Sequence, residues 1–99
     1  RIMVPALRGT ERNIGVQGAD AIRSRLNQDI SYRQLWVIQK NDIAATLEAS
    51  GFDPNQPLSL NDAKELAKLV RADEFISGTV SRVPAGYRFD MSLLRPEVI

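Results

Sequence analysis

The stretch from Phe75 to Leu94 constrains the fold of this 99-residue chain more than any other. Phe75 to Arg82 reads as one strand and Tyr87 to Leu94 as a second, and Val83-Pro84-Ala85-Gly86 supplies the turn between them. In the second strand Tyr87, Phe89, Met91 and Leu93 alternate with Arg88, Asp90 and Ser92. Successive side chains of a strand point to opposite faces, so a strict period of two predicts one buried face and one wet face. The apolar row of Tyr87, Phe89, Met91 and Leu93 is expected to be core.

Upstream, Ile2 to Leu7 is an apolar run with little alternation, which suits a strand covered on both faces. Pro5 within it predicts an edge position or a bulge. Asn13 is the N-cap candidate for the first helix, with Thr10 as its rival. From there Gly15, Gly18, Ala19, Ile22, Leu26 and Ile30 recur at three- and four-residue steps and predict a helix to about Asp29. Arg23, Arg25, Gln28 and Asp29 fall off that stripe and are expected to face water. Leu35-Trp36-Val37-Ile38 reads as another strand. Asn41 is expected to cap a short second helix with Ile43 and Leu47 inside, ended by Gly51 as a left-handed C′ residue under Phe52. After the turn-rich Asp53-Pro54-Asn55-Gln56-Pro57, the run Ser59-Leu60-Asn61-Asp62 resembles a capping box with Asp in place of Glu. A third helix follows, with Ala63, Leu66, Ala67 and Val70 on one face. The order is β-α-β-α-α-β-β. It predicts an α/β domain over residues 1–99: a four-stranded mixed sheet of parallel strands plus a C-terminal antiparallel hairpin, packed with three helices on one face or both. The chain begins at Arg1 and stops after Pro96-Glu97-Val98-Ile99, and is expected to be a processed product or the ordered part of something longer.

The chain has neither cysteine nor histidine. Zinc, haem and iron–sulfur sites lose their usual ligands, and nucleophilic triads with a histidine base are excluded. The expectation is no cofactor, no metal and no enzymatic activity. Net charge is +1, so the total makes no case for nucleic acid or an anionic membrane. Residues 1–40 carry seven Arg/Lys against three Asp/Glu, a mild positive bias. Arg8, Arg12, Arg23, Arg25 and Arg33 could form a basic patch, but Glu11, Asp20 and Asp29 interleave with them, and no nucleic-acid partner is expected. No apolar run approaches the roughly 20 residues of a membrane-spanning helix.

Strand, glycine loop, helix is also the plan of a phosphate-binding loop, so Gly9 and Gly15 need weighing. A dinucleotide fingerprint places its first two glycines two residues apart, and here six separate them. A P-loop places Gly-Lys-Ser/Thr at the helix start, where this chain has Gly15-Val16-Gln17. The favoured reading is structural: Gly9 permits the turn out of the strand, and Gly15 and Gly18 let the helix lie close on the sheet. A small-ligand or nucleotide site at the Gly9–Gly15 loop is the alternative. Gly78, inside a strand, marks a close backbone approach, for which a helix is the expected neighbour. Asp20, in the apolar end of the first helix, is the most notable single acid and is expected to face solvent. Tyr32, Arg33 and Trp36, with Arg23 and Arg25 on the preceding helix, are the candidate partner-binding residues, because Tyr, Trp and Arg are the usual interface anchors. Trp36 is equally readable as buried beneath a helix. The hairpin's outer edge could accept a further strand.

Several of these segments form an ordered set. A strand with Val4-Pro5 leads to Gly18-Ala19-Asp20-Ala21-Ile22 and Arg25-Leu26, then to Trp36-Val37-Ile38-Gln39-Lys40. Asp42-Ile43, Leu47-Glu48-Ala49-Ser50-Gly51-Phe52, Ala63, Leu66-Ala67, Ala72-Asp73 and Gly78-Thr79-Val80 follow. The set resembles the N-terminal-like domain of TolB, found also in the flagellar FlgO lipoproteins, the curli-secretion lipoproteins and the lipoprotein activators of penicillin-binding proteins. The resemblance spans roughly residues 2 to 95, with Val4-Pro5-Ala6 where relatives often have Leu-Pro-Phe. It implies a non-catalytic domain of the bacterial cell envelope that binds other proteins or builds envelope assemblies, and it carries over no catalytic residue and no cofactor. The expected role is therefore that of an accessory or assembly subunit in a periplasmic or envelope-associated complex, with protein subunits as partners.

Overall fold

The computed structural model describes residues 1–11 and 13–97. Arg12, from the basic set above, and the terminal Val98 and Ile99 lie outside the described residues. The element order is β1 (Ile2–Met3), α1 (Ile14–Asp29), α2 (Lys40–Ala49), α3 (Leu60–Leu69), β2 (Glu74–Val83) and β3 (Gly86–Leu94). The described strands form a three-stranded sheet in the order β1-β2-β3, parallel between β1 and β2 and antiparallel between β2 and β3. The four strands expected from the sequence are therefore three. Leu35–Ile38 makes only one parallel bridge, Val37 to Ile2, in which the Ile2 N–H donates to the Trp36 carbonyl at 2.9 Å and the Ile38 N–H to the Ile2 carbonyl at 2.9 Å. The reason lies on both sides of the bridge. Regular pairing of β1 stops two residues before Pro5, and α2 begins at Lys40, so neither segment has length for a ladder.

Pro5 makes a bulge rather than an edge. Pairing with β2 lapses after Met3↔Phe75 and resumes at Arg8↔Thr79, with five residues from Met3 to Arg8 against four from Phe75 to Thr79. The Arg8 N–H donates to the Gly78 carbonyl at 3.0 Å, and the Val80 N–H to the Arg8 carbonyl at 2.9 Å.

Alternation along β2 divides the core in two. Phe75 joins Met3, Ile38, Ile43, Leu47, Leu66 and Ala67, the cluster built by α2 and α3. Ile76 and Val80 point the other way, to Leu7, Ile14 and Ile22 beneath α1. Helices thus cover both faces. The α1 seat is close. A Cβ on Gly15 would overlap the Leu7 carbonyl oxygen, and one on Gly18 would sit 3.2 to 3.3 Å from Phe89, Leu7 and Val80. Glycine at these positions is what brings helix backbone onto strand backbone. Gly9 lacks space in the same way, against the Ile14 side chain. Gly78 departs from expectation: its close neighbour is the backbone of β3 at Asp90 and Met91, not a helix.

Helix ends show which local signals operate. Asn13 precedes α1, but its side chain makes no cap bond. Its backbone is left-handed, φ 64°, a conformation Asn tolerates better than most residues. At α2 the N-cap is Gln39, two residues before the expected Asn41. Ser59 caps α3 as expected, its Oγ accepting from the Asp62 N–H at 3.2 Å. Both α2 and α3 end in the same paired-bond motif. Phe52 N–H donates to Leu47 carbonyl and Gly51 N–H to Glu48 carbonyl, while Ala72 N–H donates to Ala67 carbonyl and Arg71 N–H to Lys68 carbonyl. The left-handed residue is Gly51 in the first and Arg71, φ 58°, in the second.

Candidate functional site

The charged side chains bond to one another around the surface rather than converging on one centre. Arg25 Nε lies 2.7 Å from Asp29 Oδ2, and Arg82 Nε 3.1 Å from both Glu11 carboxylate oxygens. Each of those guanidinium groups is held above its ordinary pKa, chiefly by its hydrogen bond to the carboxylate. Arg82 also stacks 5.2 Å over the Tyr87 ring. Among the described residues no group of three or more acids is placed to hold a metal ion.

One network is internal. Arg23, expected in water, is buried: its Nη1 donates to the Val4 carbonyl in the interrupted part of the first strand, and its Nη2 pairs with Asp20. Arg23 lies one helical turn past Ala19 and so shares the face that Ala19 seats on the sheet. Asp20 also pairs with Lys40 Nζ at 3.2 Å, so it is half-buried and doubly matched rather than solvated and free. This removes Arg23 from the candidate partner-binding set.

The Gly9–Gly15 loop does not form a phosphate cradle. The Leu7 carbonyl fills the space against Gly15, and the Leu7 N–H donates to the Gly15 carbonyl at 3.1 Å. The adjoining groove, about 380 Å³, is lined by Glu11 and Asp53 along with Thr10, Asn13 and Asn55. Carboxylates in the wall oppose an anion.

Two exposed surfaces remain. The first is the connection from α1 to the Val37 bridge. Ser31 organises its turn, its carbonyl accepting from the Gln34 and Leu35 N–H groups at 2.9 and 3.0 Å. Tyr32 is 65% exposed and Trp36 48% exposed, and the Arg33 guanidinium lies 6.0 Å from the Tyr32 ring centroid. Trp36 thus stays outside while its neighbours Val37 and Ile38, along the same segment, are buried. Arg25 stands on the exposed side of α1, tied to Asp29.

The second surface was hidden by the sequence pattern. Tyr87, Phe89, Met91 and Leu93 are exposed, from 37% at Phe89 to 57% at Leu93, and are not core. The cause is where α1 sits. A Cβ placed on Gly18 would meet Leu7, Val80 and Phe89, and α1 packs chiefly on β2, so the helix is centred over β2 and only its flank reaches β3. A recess of about 130 Å³ remains between them, lined by Gln17, Gly18, Ala21, Val80, Tyr87 and Phe89. Among the described residues β3 pairs only with β2, so its other edge is open. The count of helices was the available signal: one helix on that face is narrower than three strands.

No protein-family model matches the chain, and no curated protein does. Two solved structures share its fold. The LpoB C-terminal domain from Escherichia coli superposes with a TM-score of 0.70 at 14% identity, over 97% of this chain and 71% of that one. The LpoB C-terminal domain from Salmonella enterica gives 0.72 at 14% identity, over 98% and 72%. Both likenesses are of fold; TolB and FlgO are not among these structures. No described helix is long and apolar enough to cross a membrane.

Proposed function

We propose that this chain is a non-catalytic protein-interaction domain, an accessory or assembly subunit of a periplasmic or envelope-associated bacterial complex, and that Tyr32, Arg33 and Trp36, flanked by Arg25, meet the partner protein. The observation that carries this reading is the exposure of Tyr32 and Trp36 on a single short connection beside a stacked arginine. Aromatic and arginine side chains contribute most of the energy at protein interfaces. The fold held in common with the LpoB C-terminal domain and the resemblance to envelope lipoprotein domains support the proposed compartment and accessory role.

Cross-linking and pull-down from bacterial envelope extracts is the test. A specific partner is expected, and Trp36→Ala is expected to weaken its capture tenfold or more, about 1.4 kcal/mol or greater. A partner captured equally well by Trp36→Ala and Tyr32→Ala would remove this surface from the reading. A chain that captures nothing would end it.

A further inference from the structure

We propose that β3 pairs antiparallel with β3 of a second copy of this chain, in one register, joining two three-stranded sheets about a two-fold axis at Phe89. The open edge is ready to bond. Arg8 exchanges hydrogen bonds with Gly78 and Val80, so those two residues turn their backbone groups toward the Arg8 segment, away from β3. Their antiparallel partners on β3, Met91 and Phe89, therefore turn their own N–H and C=O groups outward, and by alternation Tyr87 does too. No proline or lysine, the usual guards of a free edge, stands in Gly86–Leu94.

The side chains select both the partner and the register. With Phe89 opposite Phe89 of the second copy, Arg88 faces Asp90 and Asp90 faces Arg88, while Tyr87 faces Met91 on the opposite side of the sheet. The charged pairs fall at the non-hydrogen-bonded positions, where side chains approach most closely. The strand thus complements itself. A slip of one residue sets the apolar row against the charged one. A slip of two sets Arg88 against Arg88 or Asp90 against Asp90. Arg88 Nε already lies 3.2 Å from Asp90 Oδ2 within one chain, so the two side chains share a face and need only exchange partners.

The helices leave room. With α1 centred over β2, the two α1 helices would stand three strand spacings apart, about 14 Å at roughly 4.8 Å each. Packed helices need about 8–10 Å. The trough between them would be filled by Tyr87, Phe89 and Met91 from both copies, the residues that one copy leaves uncovered.

Analytical ultracentrifugation of the purified chain is the experiment. The wild-type chain is expected to reach twice its 11.0 kDa mass as concentration rises. R88D alone and D90R alone each place like charges face to face, and each is expected to lose dimer at least tenfold. Mixed in equal amounts they are matched at every charged position, and the dimer should return. Recovery on mixing also shows that both variants are folded. A wild-type chain that stays monomeric to millimolar concentration, single variants that still dimerise, or a mixture that stays monomeric would each overturn the proposal. The pairing does not use Tyr32 or Trp36, so its failure leaves the partner reading standing, and failure of that reading leaves this one.

Discussion

The two faces of the sheet hold similar side chains under different cover. On the α2–α3 side Phe75 is wholly enclosed in a cluster of ten buried residues. On the α1 side three buried residues form the cluster, and the large side chains of β3 stand in water beside it. Phe75 and Phe89 are both strand phenylalanines at alternating positions. What separates them is two helices on one side and a single helix, centred one strand away, on the other. The closed face holds the fold together, and the open face leaves apolar surface for another molecule.

Substitutions can sharpen or break this contrast, and urea unfolding measures them. Phe75→Ala is expected to cost the most, about 3–5 kcal/mol, because the cavity forms in a closed cluster. Gly15→Ala should cost about 3 kcal/mol, since the added Cβ meets the Leu7 carbonyl and α1 must lift from the sheet. Arg23→Ala should cost about 2 kcal/mol by leaving the Val4 carbonyl without its donor and removing an aliphatic stem from the interior. Arg25→Ala, on the exposed side of the same helix, should leave the midpoint unchanged. Phe89→Ala should cost only about 1 kcal/mol, because the ring is already partly in water. A loss at Phe89 equal to that at Phe75 would break the contrast of closed and open faces. One further effect has the opposite sign. Arg71→Gly should stabilise the closed side by roughly 0.5–1 kcal/mol, by relieving a left-handed backbone at the end of α3.

The elements whose signals are short-range were legible. The buried start of the α1 stripe at Gly15, Gly18 and Ala19, the Ser59 cap, the left-handed Gly51 and the Val83–Gly86 turn all depend on residues within a turn or two of one another. The candidate surfaces were legible only in part. Tyr32, Arg33 and Trp36 could be singled out by residue type, but Trp36 in or out depended on whether Leu35–Ile38 would find strand partners. Arg23 was misread because its charge argued for water over its place one turn past Ala19, and nothing local shows that a carbonyl beside Pro5 waits there for a donor. The β3 row was misread because alternation reports that two faces differ and is silent on what covers each.

The sequence by itself determined the helices, the hairpin, the parallel sense of the strands joined by helices and the absence of thiol and imidazole chemistry. Local periodicity, turn residues and composition carry that information over a few positions. Only the tertiary structure decided that Leu35–Ile38 is a bridge rather than a strand, that Gly78 makes room for β3, that Arg23 lies inside and that Phe89 lies near the surface. Each of those outcomes turns on where distant segments come to rest: Pro5 interrupting one strand, and a single helix seated over β2.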